Sequence, residues 1–448
     1  MQNQKPTWIP LLVLLAIAIL ALFAPAAGPS SAEGINSGDT AWMIVASGLV
    51  LLMTPGLAYF YGGMVNHKNV ISTMLQSFIS MGVISVIWIV FGFSLAFGDS
   101  IGGWIGNPTT FLMFNGVMDH KLALGSSDQL VFTIPFALFA FFQMKFAVIT
   151  PALISGALAE RINFRAFVLF MVLFCVAVYA PLAHWTWHPD GFFFKLGVLD
   201  FAGGTVVHMS AGWAALAGAL YLKRRKSHID ANILPPANIP YVLLGTALLW
   251  FGWFGFNAGS ACGAGPLAVS AFAVTHIAAA AAGLSWVLFD VTRGKKVSAL
   301  GFCIGAVVGL VAITPASGFV TVPVSIFIGA VAAVVSNIVA HWRATSKLDD
   351  TLDVFACHGV GGMVGMLMTG IFASTSVNSL VAEQGLWFGE TALFFKHLFA
   401  LVFVSAFAFI LSYVLLFITD KIIPLRVNEE EEKLGLDISQ HDEALANV

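Results

Sequence analysis

The chain has 448 residues, 59% of them hydrophobic and only 10% charged, where soluble domains carry about a quarter charged residues. That composition excludes a soluble domain and reads as an integral membrane protein, and a net charge of −3 argues against a nucleic-acid partner. Cys175, Cys262, Cys303 and Cys357 all lie in or beside apolar runs with no metal spacing among them, so they read as small packing residues rather than a disulfide framework.

The first 27 residues read as a cleaved signal peptide: Lys5 supplies the positive start, Leu11 to Phe23 the apolar core, and Ala24-Pro-Ala-Ala27 the small-residue cleavage options. A retained first helix is the alternative. Cleavage would leave the mature N-terminus outside.

Apolar runs of about 20 residues, enough to span a bilayer, then follow at Ala41–Gly63, Val70–Phe97, Leu130–Leu153, Phe164–His184, Phe201–Leu222, Ile239–Ala258, Ala268–Asp290, Ser298–Pro315, Pro323–His341, Asp353–Ala373 and Leu393–Thr419. The expected fold is therefore an all-α membrane protein of eleven transmembrane helices over residues 41–419, with a cytoplasmic tail at 420–448. An odd number of spans puts the two ends on opposite faces. Loop charges orient the chain. The inner loops hold Lys68, Arg161, Arg165, the run Lys223 to Lys226, Arg293, Lys295, Lys296, Arg343 and Lys347, whereas the outer loops hold Lys121 and Lys195, with Lys396 opening the last span. The positive-inside rule places the N-terminus outside and the C-terminus inside.

Two spans open on an acid and carry a histidine. Asp200 precedes Gly204, His208 and Gly212, spaced i, i+4, i+8, which share a helix face. Asp353 precedes His358, Gly362 and Gly365, which again share a face. Small residues let another helix approach closely, and an ionisable side chain in a membrane marks a functional-site hypothesis. His208 lies in the fifth span and His358 in the tenth, each closing a block of five. Five is odd, so the second block is inverted: a five-plus-five inverted repeat, an arrangement that places substrate paths at the repeat interface near the midplane. The residues alone leave other readings open. Either histidine can be a structural group bonding a carbonyl. A metal site lacks support, since two histidines without a third ligand are too few for zinc.

Aromatic residues from three places gather at outer ends. Phe142 and Phe146 are i, i+4 in the third span, Phe256 and Ser260 are i, i+4 at the end of the sixth, and His184-Trp185-Thr-Trp187 lies in the outer loop before the fifth. Ordinary interfacial packing accounts for such residues; the functional reading is a cage whose ring faces attract a small cation. Asp200 and Asp353 read as helix N-caps, Asp200 also as a support for an incoming cation. Lys145, inside the third span, is expected to snorkel or to bond carbonyls at a subunit contact rather than face a pore.

Together these motifs resemble the ammonium transporter family, related to the Rhesus proteins. The resemblance runs from Ala41 into the tail. It rests on Asp200-Phe-Ala-Gly-Gly-Thr-Val-Val-His208, Trp253-Phe-Gly-Phe-Asn-Ala-Gly-Ser260, Gly156-Ala-Leu-Ala-Glu-Arg161, Asp353-Val-Phe-Ala-Cys-His358 and Pro55 to Gly63. It implies a transporter rather than an enzyme, without cofactor, in a bacterial inner membrane, as a homotrimer with one pore per subunit. Trp187 and Ser260 match an outer recruitment site for ammonium, with Phe142 as a further aromatic. Phe146 and Phe256 match a stacked pair closing the vestibule, His208 and His358 the twin histidines of the pore, and Asp200 an acid important for conduction. Methylammonium is the expected analogue. The tail Leu425 to Asp437 resembles one that couples subunits and helps a PII-type signalling protein dock; a solvated acidic end is the plainer reading of its four glutamates. Two rivals remain: an ammonium sensor, for which the roughly 30 residues after the last span are short of an appended signalling domain, and a membrane hydrolase, for which no nucleophile is visible.

Overall fold

The structure, a computed structural model, describes residues 8–24, 34–118, 123–125, 130–231 and 235–445. Lys5 and Pro25-Ala26-Ala27 of the expected signal peptide, and Lys121 of the long loop, lie outside the described residues. α1 (Ile9–Ala21) is a 13-residue apolar helix with no buried residue.

Among the described residues, ten helices are long and apolar enough to cross a membrane: α2 (Ser37–Met64), α3 (Val70–Phe97), α4 (Phe136–Leu158), α5 (Phe164–Leu196), α6 (Gly204–Leu222), α7 (Ile239–Gly259), α8 (Pro266–Thr292), α10 (Val322–Thr345), α11 (Phe355–Phe372) and α12 (Ala392–Ile422). The eighth apolar run is the shorter helix α9 (Ala299–Ile313). At 15 residues it reaches only about 22 Å, against a hydrocarbon core of about 30 Å. The buried turns Thr314 to Val320 continue it.

Boundaries shift for local reasons. The third run starts later than expected, at Phe136, because Leu130–Val131 pairs as a strand with Ala123–Leu124 and Pro135 caps the helix. The fourth continues past His184. Ala180–Trp187 is helical, so His184, Trp185 and Trp187 stand on α5 and not on a loop. The fifth begins at Gly204 because Phe201 to Gly203 form a turn, with Gly203 at φ +119°.

Small residues set the helix spacing. A Cβ at Gly245 of α7 would lie 2.3 Å from the Phe60 nitrogen, and one at Gly255 would lie 2.6 Å from the Ala46 oxygen, so α2 and α7 touch backbone to backbone. The same device joins the two histidine helices. A Cβ at Gly212 of α6 would lie 2.1 Å from the Gly359 nitrogen, and one at Gly362 of α11 would lie 3.2 Å from the His208 Cβ. In a membrane such contacts supply dispersion that lipid cannot match at that distance.

The tail is docked. Two short helices, α13 (Glu429–Leu434) and α14 (Leu436–His441), cross the ends of the bundle. Asn428 and Glu431 form a capping box. Arg426 donates to the Leu222 oxygen (2.7 Å) and pairs with Glu432 (2.7 Å). Asp437 accepts from the Ile71 and Ser72 nitrogens at 3.1 and 2.8 Å, capping the start of α3. The acidic run is thus only partly solvated: Glu429 and Glu430 are exposed, while Glu431 and Glu432 hold structure. Beneath it lies a charged network. Arg225 pairs with Asp349 (2.8 Å) and Glu160 (2.6 Å). Burial alone would push the Asp349 carboxyl up, but hydrogen bonds and charge from Arg225, with Arg161 beside it, hold it well below the ordinary carboxylate range.

Candidate substrate pore

Two spaces in the bundle meet at one pair of neighbouring rings. On the face opposite the tail a vestibule of about 760 Å³ is walled in part by Gln143, Phe146, Trp187, Asp200 and Ser260. Inside the bundle a cavity of about 10 Å³ is lined by His208, His358, Trp253, Phe256, Val207 and other apolar side chains. That volume suits one water-sized molecule. Phe146 lines the vestibule and Phe256 the cavity, and their rings pack at a centroid distance of 4.2 Å, tilted by 33°. The two spaces are therefore divided by a pair of phenyl rings.

Trp187 meets Phe146 edge-on at 5.8 Å and donates its indole N–H to the Asp200 backbone carbonyl oxygen at 3.0 Å, which fixes the ring on the vestibule wall. Ser260 donates to the Phe256 oxygen at 2.9 Å, and its oxygen lone pairs remain for a further donor. Phe142 is fully buried. It packs edge-on against Phe146 at 4.9 Å and lines neither space, so it backs the phenyl pair. Lys145 lines neither space either. Its ammonium lies 5.6 Å from the Phe141 ring centre on the half-exposed side of α4.

Below the phenyl pair the histidines meet. His358 Nδ1 and His208 Nδ1 are 3.3 Å apart, and the rings are near parallel at 5.4 Å and 27°. Trp253 stacks on His208 at 5.3 Å and is itself held by an indole bond to Thr314 (2.9 Å). The chemistry of an Nδ1–Nδ1 contact is restrictive. Between two neutral rings one Nδ1 must carry the proton and the other must accept it. The donating ring then has a bare Nε2, while the accepting ring carries its proton on Nε2. The pair so offers one acceptor and one donor; the roles reverse when the shared proton passes across while the bare Nε2 takes up a proton and the protonated Nε2 releases one. His208 Nε2 is buried with no protein partner, and His208 lines the apolar cavity, where a small polar molecule can bond it.

Backbone geometry positions both rings. Gly204–Met209 and Phe355–Val360 are π-helical turns, each containing its histidine. A wider turn re-aims side chains and is frequent at functional sites, and it displaces the even i, i+4, i+8 spacing expected for Gly204, His208 and Gly212. Asp200 caps the first turn: its carboxylate accepts from the nitrogens of Gly203 (2.8 Å), Gly204 (2.6 Å) and Thr205 (2.7 Å) and from the Thr205 hydroxyl (2.5 Å).

The expected cap at Asp353 is corrected. Asp353 sits at φ +57° and its carboxylate pairs with Arg343 at 2.7 and 2.8 Å. The cap is Asp350, which accepts from Val354 (3.1 Å) and Phe355 (2.7 Å). Burial, with Asp353 alongside, pushes the Asp350 carboxyl up to about 6. Asp200 and Asp350 each stand eight residues before their histidine and each bond the nitrogens at i+4 and i+5. That spacing was present in the sequence; the nearer Asp353 obscured it.

Fold and site define a class: a helical membrane protein whose apolar passage carries two hydrogen-bonded histidines behind an aromatic barrier. Residues 41–445 match the Ammonium Transporter Family. The chain is 47% identical over 416 residues to an ammonium transporter of Bacillus subtilis, covering 91% of this chain and 98% of that one. It is 44% identical over 432 residues to an ammonium transporter of Aquifex aeolicus, covering 96% and 98%. Among solved structures it superimposes on Saccharomyces cerevisiae Mep2 with a TM-score of 0.81 at 32% identity, covering 89% of each chain. It superimposes on a protein described as a sensor Amt protein with a TM-score of 0.82 at 31% identity, covering 90% and 98%. The chain belongs to the ammonium transporter family, whose members are transporters and not enzymes.

Proposed function

We propose that this chain recruits ammonium from outside the cell, deprotonates it and conducts ammonia inward past His208 and His358. The observation that carries the reading is the 3.3 Å Nδ1–Nδ1 contact inside a cavity with room for one small molecule. Moving bare ammonium through such a space is costly. The ring faces of Trp187 and Phe146 and the Ser260 hydroxyl replace part of its hydration at the vestibule floor. Beyond the phenyl pair only the neutral species is tolerated. Ammonium can shed a proton and potassium cannot, which gives selectivity without a size filter. Ammonia donates to the bare Nε2 and accepts from the protonated one. The proton is returned to the vestibule or relayed by the pair.

The accompanying topology has α9 and its buried turns crossing as an eleventh span, which makes two inverted blocks of five. The matched π-turns and the Asp200 and Asp350 caps support that reading, because equivalent elements recur at equivalent places. The lysine- and arginine-rich loops favour a tail inside and a vestibule outside. Signal-peptide cleavage near residue 27, a homotrimer in the plasma membrane, bacterial inner membrane in type, and a PII-type protein meeting the tail face with its exposed Glu429 and Glu430 complete the proposal.

A second reading has an observation behind it: the likeness to a sensor Amt protein makes ligand binding with little flux the alternative. Uptake of methylammonium into liposomes holding the full chain separates the two. Saturable uptake that ammonium competes for supports transport; binding without uptake supports the sensor.

A further inference from the structure

Among the described residues, four charged side chains wall the vestibule: Lys195, Asp200, Glu383 and Lys396. Two of them are cations, at the entrance proposed for a cationic substrate. Each is matched by an acid. Lys195 pairs with Asp190 at 3.0 Å, and Lys396 pairs with Glu383 at 2.7 Å. The Asp200 carboxylate is already engaged by three backbone N–H groups and the Thr205 hydroxyl. The Lys396 pair differs from the Lys195 pair in that both partners line the space. Its side chains are about one third exposed, at 27% for Lys396 and 35% for Glu383, so their charges act on the vestibule through partly screened solvent. The two residues come from separate elements: Glu383 from the loop between α11 and α12, Lys396 from the first turns of α12.

We infer that Glu383 tunes substrate affinity by cancelling the Lys396 charge at the vestibule wall. The inference rests on the ammonium reading above. Glu383 is a positioning and specificity residue: it makes no bond to the substrate and acts on the potential the substrate meets. A single charge over a distance on the order of 8 Å, in a medium of about half water's dielectric constant, changes a cation's occupancy about fivefold. Clefts with low-dielectric walls focus such fields.

The test is methylammonium uptake by the reconstituted full chain as wild type, E383Q, K396Q and the double variant. Each is measured at ionic strengths of about 20 mM and about 300 mM, where screening lengths are about 20 and 6 Å. At low salt E383Q is expected to raise KM about fivefold with Vmax unchanged, and K396Q to lower it. The double variant is expected to return to near wild type, and high salt to compress all differences. The opposite-signed K396Q keeps the test decisive if E383Q fails to fold. An unchanged KM in E383Q at low salt overturns the inference. So does a rise that persists in the double variant or at high salt, since that is a packing defect, and so does a raised KM in K396Q. A wild type that takes up no methylammonium overturns the transport reading and this inference with it; a transporting wild type with an indifferent E383Q overturns this inference alone.

Discussion

Gly212 and Gly359 touch backbone to backbone: a Cβ on Gly212 would stand 2.1 Å from the Gly359 nitrogen. Gly359 follows His358, and Gly212 is four residues beyond His208, so this contact fixes how close the two imidazoles come. G212A must push α6 and α11 apart. Overpacking of this kind costs about 1–3 kcal/mol. We expect G212A to lower the melting temperature in detergent and to reduce methylammonium uptake at least tenfold. Wild-type uptake in G212A would mean that the histidine spacing is not set here.

The two acid caps predict a contrast. Asp350 bonds the first nitrogens of α11, whereas Asp353 pairs with Arg343. D350A should therefore destabilise the protein by about 1–2 kcal/mol, the upper range for loss of a cap, and should depress uptake by disturbing the His358 turn. D353N leaves the cap in place and should reduce uptake less. Equal losses in both would contradict the assignment of Asp350.

This contrast also marks what could be read in the sequence. The apolar runs, both histidines, the glycines beside them and the aromatic residues of the entrance were legible, because hydropathy reports burial and a buried ionisable group is conspicuous. The π-turns were not: apolar composition says nothing about helical pitch, so the even spacing of Gly204, His208 and Gly212 suggested an ordinary helix. Asp353 reads as a cap on spacing alone, but capping depends on the path of the loop, and its positive φ cannot be read from a single aspartate. Phe142 and Phe146 share a helix face on spacing, but their rings meet different neighbours: Phe146 meets Trp187 and Phe256, while Phe142 packs behind Phe146.

Trp187 and Ser260 share the vestibule floor with Phe146. A cation over an aromatic face gains about 0.5–2 kcal/mol. W187L is accordingly expected to raise the methylammonium concentration for half-maximal uptake by about two- to thirtyfold, with Vmax little changed. A fall in Vmax at constant KM would assign Trp187 to conduction and not to recruitment.

The Asp349 carboxyl, held low by Arg225, makes stability depend on pH with a definite sign. A carboxylate with a depressed folded-state pKa contributes stability that is complete above its unfolded value, near 4, and is lost as pH falls through the folded one. D349N should melt well below wild type from pH 8 to pH 5, since removing one partner of a buried pair costs about 3–5 kcal/mol. The gap should narrow below about pH 4. Thermal unfolding in detergent across that range checks the sign; a gap that widens with acid would contradict it.

We propose above all that ammonium crosses as ammonia beside a proton-sharing histidine pair. The direct measurement is the current carried by reconstituted wild-type and H208A protein under ammonium and potassium gradients. With the proton relayed by the pair, we predict an ammonium-driven current in the wild type, its loss in H208A, and no potassium current in either; with the proton returned to the vestibule, neither protein carries an ammonium-driven current. An H208A protein that keeps the full ammonium-driven current while still excluding potassium would contradict the role assigned to the pair.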